Sequence, residues 1–273
     1  MENLRHIPTS DWHEKIIQGS DWEMNEKEIW ILSFGAGVNS TALLFWLVKN
    51  NKSLDEVIFA NPMNEMPETY IHIERIKKWC ESKGITFTEV KSHLSQGNLR
   101  EWYYSKKKIP VRLIRSCTDL FKIRPIYRYL QNKYGKIVFN VYIGISYEER
   151  QRVKQSGRKD RNLLYPLVEA KIDRVECEKI IKENDFEVPV KSGCYFCPFQ
   201  NNGSWNRLFK IHPELFEEST KFEENCDRFP EFYLGRIPLR QFKKIITQQS
   251  NLGKFFNKEK DYGEVEQCVY CHL

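Results

Sequence analysis

The sequence predicts an α/β protein. The expected architecture is an open, mostly parallel sheet with helices on both faces, followed by a smaller helical, cysteine-bearing C-terminal region. Three observations predict it. Short apolar runs alternate with segments of helical spacing between residues 29 and 143, the pattern of strand–helix–strand units. The small residues Gly35-Ala36-Gly37 separate the first apolar run from the first helix. Beyond Asp173 helical spacing takes over, and two Cys-x-x-Cys pairs appear at Cys194/Cys197 and Cys268/Cys271. The expected division is an N-terminal extension over 1–27, a sheet-forming domain over 28–170 and a helical region over 171–273.

The elements follow in order. Ile29, Trp30, Ile31 and Leu32 are long enough a run for a buried strand. Asn39, Ser40 and Thr41 open a helix that Ala42 to Val48 continue. Strand, small-residue loop and helix N-terminus make the layout of a phosphate site, because free backbone N–H groups and the helix dipole meet an anion there. Ser33, Gly35, Ala36, Gly37, Asn39, Ser40 and Thr41 are the candidate cradle. Bulk at Gly37 is expected to fill the space that phosphates need. A tight turn in an ordinary α/β domain is the bland alternative. The loop is neither a Walker A loop nor a dinucleotide fingerprint, because Gly-Lys-Ser/Thr and G-x-G-x-x-G are both missing.

Glu56 to Ala60 is a second strand, and Asn61 to Pro67 a loop at its end. Glu68 to Cys80 has helical spacing, Gly84 stops it, and Ile85 to Val90 is a third strand. Ligands in open α/β sheets bind at the carboxyl ends of strands, where both loops would lie. Residues 91–116 carry Arg100, Lys106, Lys107, Lys108, Arg112 and Arg115 among Trp102, Tyr103 and Tyr104, and read as an insertion or mobile loop. Cys117 to Tyr134 is a helix, Lys136 to Ile143 a strand, and Gly144 to Arg152 a polar turn. Arg150 to Arg161 hold six basic residues and one Asp. Leu163 to Leu167 is expected as a last short strand.

No stretch approaches the length of a membrane span, so no membrane partner is expected. The first fifteen residues lack the apolar core of a signal peptide. A cytoplasmic protein follows as the expectation, with the eight cysteines as thiols or metal ligands rather than disulfides. Cys80, Cys177 and Cys226 fall in helical patterns and read as small buried hydrophobes. The net charge of +6 is a mild pointer to an anionic partner. Basic segments 106–115 and 150–161, together with Trp102, Tyr103 and Tyr104, suit a nucleic acid.

Several motifs together resemble one family. Gly35 to Ser40 is similar to the pyrophosphate loop of ATP pyrophosphatases. Phe59 to Tyr70 resembles "ADTGxExPETY", and Arg115 to Ile126 resembles "RxCTxxFKIxPI". Gly144 to Arg152 is similar to "GISxDExxR", Tyr165-Pro166-Leu167 to "YPL", and Lys191 to Phe199 to "KSxCxxCPF". The chain thus resembles the phosphoadenosine-phosphosulfate-reductase-like branch of the adenine nucleotide α-hydrolase superfamily. Asn39 and Asn61 stand where that family has Asp, and Val38 where Lys is common.

The resemblance implies ATP bound by the cradle and by Asn61, with Mg2+ held by Glu148 or Glu149. It implies Asn39, Ser40, Lys122, Glu148, Glu149 and Arg152 as catalytic groups, with Arg124 a further phosphate contact. It implies that an acceptor oxygen is adenylated and then replaced by sulfur. DNA phosphorothioation is the favoured setting, with a cysteine desulfurase as sulfur donor. tRNA thiolation, sulfonucleotide reduction and a nucleotide-binding adaptor without turnover are the alternatives. Cys194 and Cys197, completed from Cys117, Cys268 and Cys271, are candidate metal ligands. A [4Fe–4S] cluster near the nucleotide is favoured over a structural zinc clasp.

Overall fold

The computed structural model describes residues 28–250; the N-terminal extension and the pair Cys268/Cys271 lie outside them. The strands are β1 (Ile29–Ser33), β2 (Glu56–Ala60), β3 (Thr86–Val90), β4 (Phe139–Ile143) and β5 (Arg161–Leu164). They form one sheet in the order β3-β2-β1-β4-β5, and every pairing is parallel. The helices are α1 (Val38–Lys49), α2 (Pro67–Ser82), α3 (Leu99–Tyr104), α4 (Ser116–Thr118), α5 (Arg124–Tyr134), α6 (Pro166–Glu169), α7 (Arg174–Glu183), α8 (Asn202–Ile211), α9 (Pro213–Glu224) and α10 (Leu239–Ser250). Among the described residues, no helix is long and apolar enough to cross a membrane.

Alternation along the strands explains the layers. Leu32, Val57, Phe59 and Tyr142 point into a core shared with α1, α2 and α7. Ile31, Ile58, Val141 and Ile143 point to the other face, onto Ile126, Tyr127 and Leu130 of α5. Both faces are covered, so the strands read as continuous apolar runs rather than alternating ones.

Three expectations change. Tyr165-Pro166-Leu167 is not strand: β5 stops at Leu164 and Pro166 opens α6, as its fixed φ favours. The described chain is helical from Pro166 on, but these helices do not share one core. Helix α7 packs on α1, and its Cys177, Ile180 and Ile181 belong to the sheet's own core. Residues 91–116 are not a loose insertion. Leu99 and Tyr103 of α3 and Phe121 are buried in one core with Trp205, Phe216 and Phe222 of α8 and α9. Glu68 at the head of α2 ties the two bodies together, accepting hydrogen bonds from Arg207 at 2.8 Å and His212 at 3.2 Å.

Glu223 of α9 is fully buried and accepts backbone N–H bonds from Leu234 (2.6 Å) and Leu239 (2.7 Å), the latter at the start of α10. Burial pushes its carboxyl from 4.5 up to about 7, against the pull of those donors. The folded chain therefore holds the proton more tightly than the unfolded one. Stability should fall as pH rises from about 4.5 to about 7 and level off above. Urea unfolding across that window is the measurement, and Glu223→Gln should flatten the slope. An identical slope in the variant would assign it to other groups.

Candidate functional site

The strand order reverses between β1 and β4, which is where an open parallel sheet leaves a crevice at its carboxyl ends. The loop after β1 carries Gly35, Ala36 and Gly37 into this crevice. The loop after β4 carries Gly144 to Arg152. Ala36 sits in the left-handed region at φ 56°, which bends the chain into α1. Ser40 Oγ staples the turn: it donates to the Gly37 carbonyl at 3.1 Å and accepts from the Gly37 N–H at 3.2 Å. The N–H groups of Val38, Asn39 and Ser40 have no carbonyl one turn earlier to bond, which is the arrangement that suits an anion at a helix start. A Cβ on Gly144 would stand 2.8 Å from both Ser40 N and Ser40 Cα. Glycine there leaves the approach to the Ser40 N–H open.

The crevice is bridged by side chains from both loops. Asn39 Nδ2 donates to Ser146 Oγ at 3.0 Å and to Glu149 Oε2 at 2.8 Å. Arg152 donates to the other Glu149 oxygen. The structure thus brings together Asn39, Ser40, Glu149 and Arg152 of the predicted set. Asn39 Oδ1 is buried with no hydrogen-bond partner among the described residues, as is Glu148 Oε2. Such atoms are costly unless something completes them. A carboxylate at Glu148 has the hard-oxygen chemistry that Mg2+ takes. Ser33 ends β1, buried beside the same crevice.

Two predicted cradle residues are otherwise engaged. The Thr41 N–H bonds the Gly37 carbonyl at 3.0 Å, and its hydroxyl pairs with His72 Nε2 at 2.8 Å. Burial pushes His72 down to about 4, so it is neutral and can share that bond. Asn61 closes its own loop, donating to Glu89 at 3.0 Å and accepting from the Met63 N–H at 2.7 Å and the Tyr70 hydroxyl at 2.9 Å. Gly37 has a further constraint. Its Cβ would stand 2.9 Å from Ser192 Oγ, so bulk there meets the Ser192 side chain.

The chain from Ser192 leads to the thiols. Glu65 bridges to Cys194 as an isolated antiparallel pair, and Tyr195 N donates to the Asn64 carbonyl at 3.0 Å. The Cys-x-x-Cys turn is thereby pinned to the loop after β2. Residues Asp119–Ile123 form a π-helical turn between α4 and α5, a local widening common at functional sites. It delivers Lys122 Nζ to 3.1 Å from Glu65 Oε1, whose side chain is 1% exposed. Burial disfavours the Lys122 charge, but Glu65 outweighs it and holds the ammonium above the ordinary lysine value.

Cys117, Cys194 and Cys197 are near enough to influence one another's ionisation. Burial, with Glu65 adding to it, pushes Cys194 well above the ordinary thiol range. Burial likewise pushes Cys197 to about 11 and raises Cys117. Three thiols of this kind are donors for a soft metal centre, which would have to displace their protons. Among the described residues, no group of three or more His, Cys, Asp or Glu side chains is already arranged around one ion.

A pocket of about 470 Å3 opens on the β4–β5 side of the crevice. Arg115, Thr118 and Arg124 form one wall, and Arg152, Lys154 and Arg158 the other. Within it Arg161 makes a buried two-bond pair with Asp160 at 2.7 and 2.9 Å. Arg124 pairs with Asp119 on the surface. The predicted stacking role does not suit Tyr103, which is 4% exposed and bonded to Ser116 at 2.8 Å. Trp102 packs on Phe121, and Tyr104 alone of the three is exposed.

Sequence reasoning missed Gly144, Glu65 and Ser192 as individual site residues. Each lay inside a quoted motif, but their roles depend on contacts between segments distant in the chain.

Residues 29–155 match the family model described as the phosphoadenosine phosphosulfate reductase domain. Two uncharacterized proteins of Methanocaldococcus jannaschii are similar. One is 28% identical over 227 residues, covering 77% of this chain and 52% of the relative. The other is 22% identical over 240 residues, covering 82% and 88%. The chain thus spans about half the length of the first. Among solved structures, a phosphoadenylyl-sulfate reductase from Candida auris in a phosphate complex superposes with a TM-score of 0.43 and 15% identity, over 60% of this chain and 75% of that one. The U34-tRNA thiolase NcsA from Methanococcus maripaludis, with its [4Fe-4S] cluster, gives 0.41 and 15%, over 84% and 74%. At these values neither structural likeness bears on function.

Proposed function

We propose, from the premise that residues 29–155 belong to the phosphoadenosine phosphosulfate reductase-like family, that this protein is an ATP pyrophosphatase of sulfur transfer. In this reading it adenylates an acceptor oxygen ahead of sulfur insertion, and a phosphate oxygen of DNA is the favoured acceptor. The supporting observation is the meeting of three features at one end of the sheet. The Gly35–Ser40 loop is joined to the basic pocket through Asn39, Glu149 and Arg152. It abuts the thiol-bearing segment through Gly37 and Ser192.

The chemistry assigns work to each part. The acceptor oxygen attacks the α-phosphorus, the bond to the bridging oxygen breaks, and pyrophosphate leaves with that electron pair. The N–H groups at the head of α1 and Arg152 would hold the leaving pyrophosphate, neutralising charge where it develops. Mg2+, with Glu148 or Glu149 as its carboxylate, would share that task. The adenylated oxygen then departs as AMP when sulfide-level sulfur replaces it; the persulfide formed by a cysteine desulfurase supplies that sulfur once a thiol reductant cleaves its S–S bond and is itself oxidised to a disulfide. Cys194 and Cys197, with Cys117, would hold a [4Fe–4S] cluster, which supplies a site for sulfur; the alternative is a structural zinc held by Cys194, Cys197, Cys268 and Cys271. A nucleotide-binding adaptor is the second reading, favoured by the internal engagement of Asn39 and Asn61.

The test is pyrophosphate release from ATP by anaerobically prepared protein, with DNA or tRNA present. Stimulated release is expected, with Asn39→Ala slower by about tenfold or more, or about 1.4 kcal/mol. ATP binding without release would establish the adaptor. Sulfite production from a sulfonucleotide, without pyrophosphate, would establish a reductase.

A further inference from the structure

We propose that the pocket on the β4–β5 side of the crevice is the acceptor site, and that it takes one unpaired nucleotide of a single-stranded polynucleotide. The inference rests on the nucleic-acid acceptor reading above, and adds where and in what form the acceptor is held.

Charge is the first support. The lining holds six basic side chains; Arg124, Arg152 and Arg161 pair with Asp119, Glu149 and Asp160, so the basic residues exceed these carboxylates by three. Such a wall selects a phosphate-bearing ligand. The second is the apolar remainder: Ile123, Tyr127, Ile145 and Leu163 also line the pocket. A ligand with both an anionic and a flat apolar part satisfies both surfaces, and a nucleotide has that composition. The third is size. About 470 Å3 is within the range of small-ligand sites. It admits one nucleotide unit but not a base-paired duplex, whose bases must be extruded before a pocket can receive them.

The rim adds a fourth argument. Leu113 is 96% exposed and Ile114 is 73% exposed, and both border the pocket. The loop that displays them is braced. Arg112 Nε donates to the Pro198 carbonyl at 2.6 Å, and the Arg115 guanidinium lies 4.0 Å from the centre of the Phe199 ring. Two bulky aliphatic side chains on a braced loop beside a cationic cavity suit insertion against unstacked bases. Position favours the acceptor over ATP itself. Cys117 lies in sequence between Arg115 and Thr118, which both line the pocket, and Arg152 on the opposite wall binds the Glu149 that contacts Asn39. A phosphate held there lies between the thiol side and the glycine-loop side of the crevice.

Binding of a labelled oligonucleotide of about twelve nucleotides, single-stranded or as duplex, in DNA and RNA forms, is the experiment, read by fluorescence anisotropy on the full chain. ATP affinity is measured alongside by calorimetry. Single strands should bind more tightly than duplex by about tenfold or more. Arg158→Glu should weaken single-strand binding by about tenfold and lower its salt dependence. The double change Leu113→Ser/Ile114→Ser, confined to exposed positions, should weaken it by about fivefold with ATP affinity unchanged. Tight polynucleotide binding that neither variant alters would overturn the pocket assignment and leave the acceptor reading standing. So would a preference for duplex, or a loss of ATP rather than oligonucleotide affinity in Arg158→Glu. Absence of any polynucleotide binding by the unaltered chain would remove the acceptor reading itself.

Discussion

Gly144→Ala is expected to cost both stability and ATP affinity, although the added group is one methyl. The new Cβ would stand 2.8 Å from Ser40 N and Cα and 3.1 Å from the Asn39 carbonyl carbon. These are backbone atoms at the head of a buried helix, so they cannot swing aside as a side-chain tip would. The loop after β4 must move off α1, or α1 must shift. Overpacking of this kind costs about 1–3 kcal/mol. The same displacement covers the Ser40 N–H and pulls Ser146 and Glu149 away from Asn39, so ATP affinity should drop by about tenfold or more. Thermal unfolding and calorimetry with ATP are the measurements. Wild-type values for both would show that the two loops do not meet as described.

Glu65→Ala should have the larger effect on stability. It removes the carboxylate 3.1 Å from Lys122 Nζ and strands a largely enclosed ammonium. Breaking a buried pair from one side costs about 3–5 kcal/mol, because the remaining charge has lost its partner. The double change Glu65→Ala/Lys122→Met should recover much of that loss, since no charge is then stranded. Denaturant unfolding of the two single variants and the double variant gives the coupling between them. Additive losses, with no recovery in the double variant, would mean that the pair is not the source of the cost.

The sheet was legible because its strands are short apolar runs buried on both faces, and such runs stand out in any chain. β2 has the expected bounds, and the others differ by a few residues at their ends. The glycine loop was legible for a related reason: small residues between a strand and a helix leave few conformational choices. Boundaries of packing were not legible. Helix α7 carries the apolar spacing of any amphipathic helix, and that spacing does not say whether α1 or α9 receives it. Tyr103 and Trp102 look the same in sequence whether they stack on a ligand or fill a core.

Residue types and their local order therefore determined the α/β class, the strand–loop–helix turn and the presence of thiols at Cys194 and Cys197. Those follow from periodicity, turn geometry and side-chain chemistry, which act over a few residues. Tertiary structure alone decided that Thr41 turns to His72, that Asn61 closes its own loop, that Glu65 meets Lys122 and that Gly144 lies against Ser40. Most of these are contacts between segments far apart in the chain. The partners are chosen by the strand order β3-β2-β1-β4-β5, which brings the loops after β1 and β4 side by side. No local pattern encodes that order, because it is the burial of both sheet faces together that selects it.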